Sequence, residues 1–160
     1  MIAPLVYSGY SRGLIRDFKF KEKIFIANAL ITHLYPSFLG QNVEVILPVP
    51  LHSKRMLERG FNQSTEIAEQ LSSRLHIPVD KHSLVRTRAT ESQSGLSLNK
   101  RRRNLIKAFH FDPCTPYQSV AIVDDVITSG STMAEICKQV RRSGITEIQV
   151  WSLARALKQD

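Results

Sequence analysis

Residues 120–133, VAIVDDVITSGSTM, constrain the fold more than any other stretch of the chain. The run Val120, Ala121, Ile122, Val123 has the character of a buried parallel strand. It delivers two adjacent carboxylates, Asp124 and Asp125, to the carboxyl end of that strand. Open α/β sheets place their ligands there, so position alone marks the pair as functional. The TSGST that follows is built of small residues, and Gly130 permits close backbone approach, so several N–H groups can converge on one anion. A helix predicted to begin near Ser131 or Thr132 turns its unpaired N–H groups and positive dipole end toward the same point.

The hydroxyls of Thr128, Ser129, Ser131 and Thr132 add further donors. Two carboxylates beside an anion hole repel a bare phosphate but suit a sugar phosphate. They accept hydrogen bonds from a cis-diol while the loop holds the phosphate. Two other readings compete. Paired Asp residues after a strand also occur in metal-dependent phosphotransfer domains, and SGST can be no more than a helix cap, but neither requires the whole motif. A Walker loop is excluded, because the Gly-Lys followed by Ser or Thr is missing.

Elsewhere strand and helix patterns alternate. Residues 2–7 are apolar enough for a strand, and Leu14, Ile15 and Phe18 follow at helical spacing within the basic stretch SRGLIRDFKFKEK. Residues 24–39 carry apolar positions at a buried-helix period and end near Pro36 and Gly40. Residues 43–49, VEVILPV, read as a strand ending at Pro48, and the cation-rich LHSKRMLERGFN comes next. Asn62 opens a helix with Ile67, Ala68, Leu71 and Leu75 on one face. Residues 78–85 are predicted as a strand, 87–104 as a loop running into a short basic helix, and 109–111 as a short strand. Met133, Ile136, Cys137 and Val140 mark a helix closing at Gly144, before a last strand through Ile148, Val150 and Trp151. This order predicts an α/β domain spanning 1–160, with a mainly parallel sheet covered by helices on both faces.

The chain has 160 residues, of which 42% are hydrophobic and 22% charged, which fits a self-folding domain and excludes a disordered one. No window approaches the roughly 18 apolar residues of a membrane span, and the start MIAPLVYSGY has no secretory pattern, so a cytoplasmic protein is expected. Cys114 and Cys137 share no metal-ligand spacing, and Cys137 falls on the apolar face of its helix. A net charge of +8 suggests an anionic partner, either a phosphorylated small molecule or nucleic acid, or simply a solvated basic surface.

The segment VAIVDDVITSGSTM closely resembles the phosphoribosyl pyrophosphate (PRPP) signature of type I phosphoribosyltransferases. Two further segments, ILPVPLHSKRMLERGFNQS and RTRATESQSGLSLNKRRRNLIKAF, are similar to the competence protein F (ComF, also called GntX) family, so that the likeness covers nearly the whole chain. The resemblance implies a type I phosphoribosyltransferase-like fold in which Asp124 and Asp125 hold the ribose hydroxyls. Thr128, Ser129, Gly130, Ser131 and Thr132 would hold the 5′-phosphate, and Pro50, Leu51 and His52 would form the pyrophosphate loop.

Lys54, Arg55 and Arg59 lie next to that loop, where a pyrophosphate leaving group needs positive charge. Residues 87–103 would correspond to a loop that closes over the reacting centre, with Gln93, Arg101, Arg102 and Arg103 as candidate contacts. Arg86 and Arg88 are candidates for clamping pyrophosphate oxygens, although a basic loop before an Arg-rich helix start equally suits a nucleic-acid backbone. Mg²⁺ would come with PRPP rather than on a protein-built site.

Two departures from the family pattern matter. The cysteine-rich, zinc-finger-like amino-terminal segment of the family, with its paired CxxC spacings, is absent from these residues. Thr128 stands where 6-oxopurine transferases carry a carboxylate base, and a hydroxyl near its ordinary pKa is a poor base. The chain therefore has two expected functions. One is Mg²⁺-dependent phosphoribosyl transfer to an unidentified nitrogen acceptor; the other is a non-enzymatic factor that reuses the fold to handle single-stranded DNA during natural transformation. The second normally needs aromatic stacking platforms, and Phe18, Phe20, Phe61 and Phe109 look more like core.

Overall fold

The computed structural model describes residues 1–18, 24–88 and 105–157. In chain order the elements are β1 (Leu5–Val6), α1 (Gly9–Asp17), α2 (Ile24–Leu34) with a 3₁₀ turn (Tyr35–Phe38), β2 (Val45–Pro48), α3 (Ser53–Arg59) and α4 (Gln63–Leu75). They continue with β3 (Leu84–Arg86), β4 (Phe109–Phe111), β5 (Ser119–Ile127), α5 (Ser131–Arg142) and β6 (Glu147–Arg155). β1, β6, β5 and β2 form, in that order, a four-stranded sheet whose pairings are all parallel. β3 and β4 form a separate antiparallel pair.

Alternation along the central strands divides the core in two, as expected for a sheet covered on both faces. Ile46, Ala121 and Val123 pack with Ile15, Phe18, Ile31, Phe38, Ile67 and Leu71 from α1, α2, the 3₁₀ turn and α4. Val45, Leu47, Val120 and Ile122 pack with Phe109, Phe111, Met133, Ile136 and Val140 from β4 and α5. Trp151 of β6 is fully buried, with its ring centroid 5.3 Å from that of Phe38. Burying an aromatic side chain of this kind contributes about 1.5–3 kcal/mol.

Several expectations need correction. The strand expected over 2–7 is reduced to Leu5–Val6 with an isolated bridge at Ile2, because Pro4 between them has no N–H for the ladder. The strand expected over 78–85 is two separate pieces: a bridge from Val79 to Ile46 of β2, and β3 at Leu84–Arg86. Between them the Asp80 carboxylate accepts the N–H groups of His82 and Ser83 at 2.9 Å, so those donors serve a side-chain turn instead of a sheet.

The cation-rich 52–60 stretch contains a helix, α3, capped by His52 and ended by Gly60 in the left-handed region at φ 72°. It buries no residue and leaves Leu57 87% exposed, so it has no apolar period to betray it. β5 does not stop before the carboxylates but runs through them to Ile127. The loop and basic helix expected over 87–104 fall almost wholly outside the described residues, as do Phe20, Gln93, Arg101, Arg102 and Arg103.

Candidate functional site

The carboxyl ends of β2 and β5 open into a cleft of about 180 Å³. One wall is Asp124, Asp125 and the loop Thr128–Thr132; another is Val49, Pro50 and Leu51 after β2. Arg55 and Arg59 of α3, Gln63 and Ser64 of α4, and Arg86 of β3 complete it.

The carboxylates are held by local donors. Asp124 Oδ1 accepts the hydroxyl of Ser64 at 2.9 Å and the backbone N–H of Asp125 at 2.9 Å, and Asp125 Oδ1 accepts the N–H of Val126 at 2.8 Å. Burial pushes the Asp124 carboxyl up to about 8, and the adjacent charge of Asp125 adds to this, while the donors from Ser64 and Asp125 work against it. Two carboxylates this close do not ionise independently.

The loop from Thr128 to Thr132 is shaped by Gly130, whose φ of 72° lies in the left-handed region that favours glycine. Gly130 is also the N-cap of α5, and it offers no side-chain hydrogen bond to the first turn. The Ser129 and Ser131 hydroxyls lie 3.0 Å apart, and the Ser131 N–H is 3.4 Å from Ser129 Oγ, which closes the loop on itself. Ser129, Gly130 and Ser131 also border a depression of about 330 Å³ lined by Leu105, Ile106, Glu135 and Lys138.

Three guanidiniums, those of Arg55, Arg59 and Arg86, line the cleft with the two carboxylates. Arg86 stacks over Phe109, 5.5 Å from the ring centroid. Burial, then the charge of Arg55, draws the Arg86 guanidinium below its ordinary range, while Asp124 acts in the opposite sense. An arginine remains charged under any such influence. Arg55 and Arg86 thus bring like charges together that an anion beside them would relieve.

Of the residues singled out from the sequence, the structure brings Asp124, Asp125, Thr128, Ser129, Gly130, Ser131, Thr132, Pro50, Leu51, Arg55, Arg59 and Arg86 to one cleft. It places three elsewhere. His52 caps α3, its Nδ1 accepting the Lys54 N–H at 3.2 Å, and neither it nor exposed Lys54 lines the cleft. Arg88 is exposed and also outside the lining. The sequence reading missed Gln63 and Ser64. The available signal was a polar pair in the first turn of a helix whose remaining inward positions are apolar, directly after the capping Asn62.

Of the aromatics considered as stacking platforms, Phe18, Phe61 and Phe109 are buried in the core. No helix among the described residues is long and apolar enough to cross a membrane.

Comparison with solved structures defines the class. The glutamine PRPP amidotransferase from B. subtilis complexed with ADP and GMP superposes with a TM-score of 0.53 at 19% identity, over 79% of this chain and 26% of that one. Adenine phosphoribosyltransferase from Thermoanaerobacter pseudethanolicus gives 0.50 at 16% identity, over 84% and 83%. The fold is that of the type I phosphoribosyltransferases.

No protein-family model matches the chain. Competence protein F of Haemophilus influenzae is 42% identical over 153 residues, covering 89% of this chain and 67% of that protein. The DNA utilization protein YhgH of Escherichia coli K12 is 40% identical over 151 residues, covering 90% and 66%. The chain belongs to the competence protein F family. It spans about two thirds of the length of these curated relatives.

Proposed function

We propose that the cleft binds PRPP with Mg²⁺ and that the protein transfers or senses the phosphoribosyl group. The observation that carries this reading is the pairing, in one cleft, of a side-chain-free helix N-cap at Gly130 with the two carboxylates of β5. The 5′-phosphate would accept the N–H groups and hydroxyls of the loop from Thr128 to Thr132, and Asp124 and Asp125 would accept the ribose hydroxyls. Arg55, Arg59 and Arg86 would face the diphosphate beside Pro50 and Leu51.

The donor set suits a magnesium ion that arrives on its ligand. Mg²⁺ is commonly held by one or two carboxylates plus substrate phosphate oxygens, and Asp124 and Asp125 are the carboxylates at hand. When bound, the ion supplies charge neutralisation for the departing diphosphate. In transfer, the bond from ribose C1 to the diphosphate oxygen breaks, a bond from C1 to an acceptor nitrogen forms, and that nitrogen gives up a proton. The arginines stabilise the charge that grows on the diphosphate. Thr128, a neutral hydroxyl, would be a poor acceptor for that proton.

A role in DNA uptake is the second part of the proposal. The relatives are named for competence and DNA utilization, and the chain carries a net charge of +8. Direct binding of single-stranded DNA would rest largely on phosphate contacts, because Phe18, Phe61 and Phe109 are buried. Its signature is a steep fall in affinity between low and moderate salt, and weak, salt-insensitive binding would sink it.

Thermal melting with Mg²⁺ and PRPP tests the ligand assignment. At a concentration near one hundred times Kd, binding adds about 2.7 kcal/mol, which raises Tm by roughly 5–10 °C in a protein of this size. An unchanged Tm across millimolar PRPP would refute it.

A further inference from the structure

Gln63 is 2% exposed, yet it lines the cleft. Its carboxamide oxygen accepts the Arg59 guanidinium at 3.0 Å. A guanidinium is a donor only, so this bond fixes which way the amide faces: Oε1 is turned to Arg59, and Nε2 is turned away from it. Among the described residues, Nε2 has no hydrogen-bond acceptor. A buried amide donor left unmet is costly, and proteins rarely keep one without a use.

The neighbours say which side of the cleft is concerned. The capping Asn62 donates through Nδ2 to the carbonyl of Val49 at 3.0 Å, which ties the start of α4 to the segment Val49, Pro50 and Leu51 after β2. Arg59, the partner of Gln63, comes from the end of α3, which follows that segment directly. Ser64, the next residue, turns instead to Asp124. The first turn of α4 therefore divides its work: Ser64 serves the carboxylate wall, and Gln63 stands on the cationic side with Arg55 and Arg59.

We propose that Gln63 is a ligand-contacting residue of the cleft, its Nε2–H donating to a diphosphate oxygen. The assignment rests on the PRPP reading above and deepens it. Arg59 acts through Gln63 as a positioning residue, holding the amide so that its donor faces the anion. Discrimination follows from this arrangement, since a phosphoribosyl ligand without the diphosphate leaves the Gln63 donor unmet.

The test compares binding of three probes, PRPP, inorganic diphosphate and ribose 5-phosphate, each with Mg²⁺, to the full chain and to Gln63→Glu and Gln63→Leu. Gln63→Glu keeps the size of the side chain and the tie to Arg59 but presents an oxygen where the donor was. Gln63→Leu removes the amide without adding charge. Both variants are expected to lose about tenfold or more in affinity for PRPP and diphosphate, with ribose 5-phosphate bound as in the parent. Near-parental diphosphate binding by both variants overturns the role of Gln63 and leaves the PRPP reading standing. Equal losses for all three probes show a structural role only. A folded parent that binds none of the probes overturns the PRPP reading, and the assignment of Gln63 falls with it.

Discussion

Ser64 Oγ donates to Asp124 Oδ1 at 2.9 Å, joining the first turn of α4 to the carboxylate wall across 60 positions of sequence. The bond holds down a carboxyl that burial and Asp125 push up to about 8. Ser64→Ala removes it, so Asp124 ionises at a still higher pH. If ionised Asp124 is the form that accepts ribose hydroxyls, affinity for Mg²⁺ and PRPP falls about three- to tenfold near pH 7. The loss should shrink near pH 9. Titrations at the two pH values check this; an identical loss at both would count against the coupling.

Asp124 also makes the ligand-free protein sensitive to pH. A carboxyl whose pKa is raised by folding contributes stability that is fully present below its unfolded value of about 3.9. That contribution is lost as pH rises toward 8. Asp124→Asn removes the titration. The variant should melt above the parent at pH 9 by roughly 2–4 °C for each kcal/mol relieved, and the gap should narrow at pH 5. Melting curves that differ by the same amount at both pH values would contradict it.

Gly130 is needed for its backbone. At φ 72° a side chain is strained, although an added Cβ would meet nothing within 4 Å. Gly130→Ala therefore tests conformation without a clash: a cost of about 1–2 kcal/mol, or a Tm lower by roughly 2–8 °C. If the loop holds the 5′-phosphate, ribose 5-phosphate binding should fall as well. Unchanged binding in the folded variant would take the phosphate away from this loop.

Arg86 is pinned over Phe109, so its guanidinium is presented to the cleft in a set orientation. Arg86→Lys keeps the charge but gives up the planar fork. It should weaken PRPP and diphosphate several-fold, roughly 1 kcal/mol, with ribose 5-phosphate little affected. A parallel loss for all three would place Arg86 in the fold's support instead.

Much of the architecture was legible because it follows from burial. The run from Val120 to Val123 is apolar throughout because its residues are buried alternately on both faces of the sheet, and the Ile67, Ala68, Leu71 face is periodic because it packs on one of them. What escaped has no such period. α3 buries nothing, so its seven residues read as a charged connection. The break at Asp80 depends on a side chain competing for backbone donors, and Tyr117, distant in sequence, joins it at 3.1 Å. Burial pushes the Asp80 carboxyl up, and the hydrogen bonds from Ser83, His82 and Tyr117 more than offset it, so that it lies below its ordinary value.

The candidate site divides in the same way. Asp124, Asp125 and the TSGST loop are contiguous, and their residue types announce an anion and a diol. Gln63 and Ser64 reach the cleft only because α4 starts beside the end of β2, a placement made by the Asn62 bond to Val49. His52 and Lys54, at the start of α3, fall outside the cleft lining, while Arg55 and Arg59 of the same helix lie in it.

The most direct measurement is calorimetric titration of PRPP with Mg²⁺ into the protein and into an Asp124→Asn, Asp125→Asn double variant. Saturable binding by the parent, abolished or weakened at least about a hundredfold in a folded double variant, is the expected result. No heat of binding from the folded parent, or equal binding by the two proteins, would contradict the assignment of this cleft to the ribose and phosphate of PRPP.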